Sequence, residues 1–425
     1  VVVLAVLAYG VWRCALRRSG VSYTRMFRAA VWVFLLAAAA SVFVAVSKPL
    51  ALYALARLGL GITLAFAVSA LVRREPKAFT ASLWALALAA AAEAVIAISQ
   101  FMAQGAIGLR LLGESPISAF DPATSKVAAA GSALVRAYGT FPHPNVLGAF
   151  LVLGFIAACA LWLRVDWQPA IAAWRAGKPN RRMVMKKLLG SILVACCLLP
   201  VAFALALTFS RTAWFVAVLA AGALVFSGLL TRGLWRRGAS LLVLLAAIAV
   251  LVIVPLRPFL APRAAISTGE RAVADRITYN RVGIELIKTH PLLGVGIGNH
   301  VLTAAQSGLF ERFGIARTKP WQWQPTHNVY LLAASEIGVA GALAFVVFLI
   351  VALGGAIANL LERRQHNDYD HDRGIVLSAV IVMLSSLLLF AFVDHYLWTL
   401  AQGQLMLWLS VGLVLGARRI PPAVP

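Results

Sequence analysis

The residues best able to do chemistry come in short groups beside long apolar runs. His327 and Asn328 stand directly before one such run in "WQPTHNVYLLAASEIGVAG". Arg211 sits between two runs with almost no loop in "ALTFSRTAWFVAVLAA", and Arg281 falls in "RAVADRITYNRVGIELIKTH". "RAYGTFPHPNVLGAF" supplies Arg136, His143 and Asn145. An arginine fork grips phosphate at two points and stays charged at any working pH. A histidine near neutrality accepts a proton from a hydroxyl. Together these types suit displacement of a phosphorylated leaving group by an alcohol, with arginine charge in the place a divalent metal would fill. Glu114, Asp121, Glu270, Asp275, Glu285, Glu311 and Asp394 are scattered, which favours a site with no metal and no cofactor.

Something must hold these groups at one surface. The chain is 62% hydrophobic with a mean hydropathy of +0.88, more apolar surface than a soluble core hides. The apolar runs are continuous and rich in Ala and Leu, so they read as membrane helices and not as barrel strands. Spans are expected at about 1–14, 27–47, 50–71, 79–103, 142–163, 188–208, 212–230, 239–256, 328–358, 374–393 and 396–417. The expected fold is all-α and polytopic, with about 11–12 transmembrane helices in one membrane-embedded domain over 1–425. No charged leader with a cleavage site opens the sequence, so no signal peptide is read there. The cysteines at 14, 159, 196 and 197 have no spacing for a metal or a disulfide framework.

The net charge of +23 would suggest nucleic acid in a soluble protein. Here the basic residues collect in every second connection, the pattern of cytoplasmic loops, so no nucleic-acid partner is expected. The alternation places the C-terminus in the cytoplasm and two long segments, 104–141 and 257–327, on the periplasmic side. Residues 271–290 within the second read as an amphipathic helix lying on the membrane surface, with a stripe of Val273, Ile277, Ile284 and Ile287 bordered by Arg281. The helix that His327 opens carries Leu331, Ala334, Gly338 and Gly341 on one stripe, and its small residues predict close helix contact. "DYDHD" at 368–372 imitates a metal-binding acidic motif but falls in a cytoplasmic loop. "GVGIGNH" at 294–300 imitates a phosphate loop but follows a helix, and reads as a turn.

Taken in order, these pieces resemble the O-antigen ligase and polymerase superfamily. "HNVYLLAASEIGVAG" resembles its histidine signature, "FSRTAW" its Ser-Arg motif, "RVGIELIKTHPLLGVGIGNH" the segment before the histidine, and "YGTFPHPNVLGAF" an upstream motif. The resemblance implies an inverting, metal-independent transferase of the bacterial inner membrane, working at the periplasmic face among the membrane lipids. It implies an undecaprenyl-diphosphate-linked glycan as donor and lipid A–core as acceptor. It makes His327 the base and Arg211 and Arg281 the paired arginines. Arg136, Asn328 and His143 complete the expected substrate-binding set. O-antigen polymerases and protein O-oligosaccharyltransferases use the same donor and stay open as alternatives. A polysaccharide or lipid transporter fits less well, since no repeat relates the two halves.

Overall fold

The computed structural model describes residues 25–129, 132–177, 180–231, 233–264, 271–316, 318, 322–365 and 370–417. The expected span at 1–14 lies outside them. In chain order the helices are α1 (Arg25–Val44), α2 (Lys48–Arg74), α3 (Lys77–Ala103), α4 (Pro144–Leu163), α5 (Gln168–Arg175), α6 (Arg181–Leu207), α7 (Arg211–Leu230) and α8 (Trp235–Ala264). They continue with α9 (Arg271–Thr289), α10 (His300–Gln306), α11 (Leu309–Arg312), α12 (Val329–Gln365), α13 (His371–Ala391), α14 (Tyr396–Thr399) and α15 (Ala401–Ala417). Among the described residues, nine helices are long and apolar enough to cross a membrane, and α15 is a shorter apolar helix. The protein is therefore an all-α, multi-pass membrane protein. One expected span is divided: 396–417 breaks at Leu400, whose extended backbone separates α14 from α15.

The chain forms two compact units. The first comprises Val1–Pro76, Ser267–Asn359 and Leu387–Pro425. In it α2 and α15 pack along their length, and glycines set the approach: a Cβ on Gly412 or Gly416 would strike the facing helix. Helix α12 is not continuous. Gly338 has φ 77 and ψ 165, a backbone conformation essentially restricted to glycine. A Cβ there would collide with the Leu292 carbonyl oxygen. The opened turn takes partners from the preceding loop: Val295 N–H donates to Ser335 O, Gly296 N–H to Glu336 O, and Val339 N–H to Pro291 O. Of the two glycines in the small-residue stripe, only Gly341 meets another helix, at Ala37 of α1; Gly338 is required by the backbone.

The second unit comprises Lys77–Ile266 and Leu360–Ser386. Helix α4 is buried along nearly its whole length among its neighbours. The segment before it folds into an antiparallel hairpin, β1 (Lys126–Ala129) and β2 (Ser132–Val135), that periodicity did not foresee. Val127 and Leu134 of the hairpin pack with Phe101, Phe209, Trp214, Phe259 and Leu260. The acidic motif at 368–372 is spent on structure where it is described: Asp372 pairs with Arg164 at 3.2 Å and with Arg237 at 3.7 Å, and Asp370 with Arg373 at 2.9 Å.

Candidate functional site

In the first unit the site is built around His327, just ahead of α12. Pro325 and Thr326 set its backbone. The Pro325 carbonyl lies 3.1 Å from His327 Nδ1. A carbonyl only accepts, so Nδ1 carries the proton and Nε2 keeps its lone pair. Tyr279 of α9 stacks on the imidazole at 5.2 Å, and His395 meets it edge-on at 5.0 Å. His395 Nδ1 lies 2.8 Å from Thr399 Oγ1, and the Thr399 hydroxyl donates to the His395 carbonyl. His395 thus also carries its proton on Nδ1 and leaves Nε2 free. The ligand-type atoms of His327, Asp394 and His395 all fall within 4.8 Å of one another. Two free imidazole lone pairs and a carboxylate so disposed could take up a proton or hold a cation.

Burial pushes the His327 imidazole down to about 4; Asp394 works the other way, while His395 and Arg276 push it further down. His327 is therefore neutral through the physiological range. As it takes a proton, Asp394 stabilises the imidazolium. Burial lowers His395 as well, again against Asp394. Behind them His300 is fully buried between Ser335 Oγ (2.8 Å) and Thr326 Oγ1 (3.2 Å), and burial holds it down at about 3. The Thr326 hydroxyl donates to the Tyr279 carbonyl at 3.0 Å, and Gly283 makes room for Thr326 against α9. This support fixes the residue immediately before His327.

Asn328 is the helix cap. Its Oδ1 accepts from the Tyr330 and Leu331 N–H groups, and its Nδ2 donates to the Phe392 carbonyl. The side chain orients α12 against the 392–395 segment that delivers Asp394 and His395.

Helix α9 occupies the expected 271–290 segment, but its buried face is not the anticipated stripe. Tyr279, Val282 and Leu286 pack with Val295, Ala304, Leu309 and Phe310. Ile277 and Ile284 remain 48% and 41% exposed. An apolar residue facing lipid needs no protein partner, so two apolar faces coexist on this helix. The consequence for the arginines is direct. Arg281 is exposed and lies about 200° around the helix from Tyr279. Arg276 lies one turn before Tyr279, acts electrostatically on His327 and on Tyr396, and buries an Nε with no hydrogen-bond partner. Arg276, Tyr279, Asp394 and His395 are the site residues that sequence reasoning missed. Counting the helical period from Tyr279 would have separated Arg276 from Arg281. "DHY" at 394–396 offered only a short polar signal after an apolar run.

The second unit positions the remaining candidates. Arg211 is the first residue of α7, with Ser210 as N-cap residue. The preceding Phe209 is fully buried with φ 49, an uncommon conformation for a bulky residue. The turn is clamped by Arg136, which is only 7% exposed. Its Nε donates to Thr208 O at 2.6 Å, Nη1 to Ser125 Oγ at 2.9 Å and Nη2 to Asn145 Oδ1 at 3.0 Å. Every guanidinium nitrogen is thus engaged by the protein, and Arg136 and Asn145 serve to hold the 208–211 turn. His143 is the N-cap of α4; its Nδ1 accepts from the Asn145 N–H at 3.1 Å. Arg211 is a cation at the start of a helix, where the first-turn N–H groups and the helix dipole favour an anion.

A family model described as O-antigen ligase matches residues 195–346. The matched segment contains Arg211, Arg276, Arg281 and His327, and ends before Asp394 and His395. No curated protein matches the chain.

Proposed function

We propose that this chain, which carries an O-antigen ligase family region over residues 195–346, transfers O-antigen polysaccharide from undecaprenyl diphosphate to lipid A–core. The single observation that supports it most is the state of His327: Nδ1 is fixed by the Pro325 carbonyl, Nε2 keeps its lone pair, and Asp394 and His395 lie close by. In the proposed step the acceptor hydroxyl oxygen attacks the anomeric carbon of the donor's terminal sugar. The new C–O bond forms as the bond to the diphosphate oxygen breaks, and that electron pair leaves with undecaprenyl diphosphate. The hydroxyl proton passes to His327 Nε2, and Asp394 stabilises the imidazolium. A single displacement inverts the anomeric configuration.

Arg276, which acts electrostatically on His327, is assigned to the diphosphate; Arg211 and Arg281 are the arginines that the resemblance supports as diphosphate ligands. The active site faces the periplasm from the bacterial inner membrane, and the C-terminus is cytoplasmic. The reading takes the reaction as metal-independent, although His327, Asp394 and His395 form a set able to hold an ion. The deciding experiment incubates the purified chain with a lipid-linked O-antigen and lipid A–core, with no ion gradient. Mass gain on lipid A–core supports ligation. Lengthening of the lipid-linked glycan with lipid A–core unchanged would instead make it a polymerase.

A further inference from the structure

A cavity of about 350 Å³ lies in the first unit, with His395 in its wall. Its volume is in the range of ligand pockets, about 300–1,000 Å³. Tyr53 and Arg57 of α2, Glu336 of α12, Trp398 of α14 and Gln404 of α15 also line it. Arg57 sits nine residues into a helix that crosses the membrane, roughly 14 Å along its axis from Lys48. A charge at such depth is costly, of the order of 2.5–3.5 kcal/mol or more, and usually has a task.

The contacts Arg57 makes within the protein do not offset that cost. Nη2 donates to the Thr399 carbonyl at 2.9 Å, and the guanidinium lies over the Tyr53 ring at 5.5 Å. Among the described residues no carboxylate is within ion-pair distance of Arg57. Glu336 shares the wall, but its Oε2 already accepts from Trp398 Nε1 and from the Gly298 N–H, both at 2.8 Å. Gln404 donates to the Trp398 carbonyl at 2.6 Å, which leaves its Oε1 as an acceptor for a hydroxyl. The cavity thus offers guanidinium N–H donors, an amide acceptor and an aromatic edge, beside a histidine that touches the base.

We propose that this cavity binds the anionic saccharide head group of a glycolipid, with Arg57 on its phosphate or carboxylate and Gln404 on a sugar hydroxyl. The assignment rests on the transferase reading above and identifies the ligand as the acceptor, not the donor. Its position in a membrane-crossing helix selects a lipid-borne saccharide over a soluble one.

The test places the full chain in phosphatidylcholine nanodiscs. Binding is measured for lipid A–core, its dephosphorylated form, phosphatidylglycerol and undecaprenyl diphosphate, and transfer is assayed in parallel. Wild type should bind phosphorylated lipid A–core about tenfold or more tighter than the dephosphorylated form. Arg57→Gln keeps a donor for the Thr399 carbonyl but removes the charge. It should erase that preference while leaving undecaprenyl diphosphate binding unchanged. Arg57→Lys and Gln404→Leu provide the same test if Arg57→Gln does not fold, with preference weakened in the first and sugar affinity in the second. An undiminished preference in the folded variants overturns the proposal. So does phosphatidylglycerol binding as tight as lipid A–core and equally dependent on Arg57, which would make this a plain anionic-lipid site. Transfer with an Arg57-independent preference sinks this inference alone; an Arg57-dependent preference without transfer sinks the transferase reading alone.

Discussion

At the scale of single residues, the proposed reaction gives each group around His327 its own expected weight. His327→Ala should lower transfer by about 10²–10⁴, the usual worth of a general base, while binding of undecaprenyl diphosphate persists. Steady-state transfer and lipid binding on the same preparation check this; near-normal transfer would remove His327 from the reaction. Arg276 and Arg281 of α9 are expected to differ. Arg276→Ala should cost on the order of 10²–10³ in rate, as loss of a preorganised charge does, whereas Arg281→Ala should cost much less because its side chain faces away from Tyr279. The opposite ranking would return Arg281 to the site. EDTA should leave transfer unchanged. If EDTA abolishes it and manganese or zinc restores it, the His327–Asp394–His395 set is a metal site.

At the scale of elements, the sequence carried the spans well and the turns poorly. Long apolar runs give one answer in a membrane, so 27–47 and 79–103 were legible as α1 and α3. The stripe on α9 was not, because lipid accepts apolar residues on a face that the protein leaves half exposed. Asn328 and Arg136 were legible only as polar groups at helix mouths, a type that suits both a cap and a ligand. The structure adds their protein partners, a cap for Asn328 and a clamp for Arg136. The hairpin at 126–135 was hidden by its shortness. Gly338 read as a packing residue, and the structure makes it a conformational one. Gly338→Ala combines a disallowed backbone with a Cβ against the Leu292 carbonyl, and should destabilise by more than about 4 kcal/mol or prevent folding. Gly341→Ala meets only side chains, those of Ala37 and Ile337, and should cost less; thermal unfolding in detergent ranks the two.

At the scale of the whole molecule, the buried histidines make stability depend on pH. His300 and His327 titrate near 3 and 4 in the folded protein against about 6.5 when unfolded. The unfolded chain therefore binds more protons between those values, so stability rises with pH through that window and is lost as pH falls below about 6.5. Melting temperatures from pH 7.5 down to 4.5 should decline, and His300→Gln should flatten the decline. A flat profile in the wild type would mean these imidazoles are not held neutral.

The broken turn of α12 also bears on time. Its carbonyls at Ser335 and Glu336 are closed by amides from Val295 and Gly296, and the Val339 amide by Pro291. None of these bonds can form within the long helix by itself. A ribosome delivers the loop first and its acceptors about forty residues later, so during synthesis the loop amides must wait for α12 to enter the membrane. In the finished protein the three amides should exchange with deuterium at one shared rate, as a single opening unit. Independent rates would mean that the loop and the helix separate bond by bond.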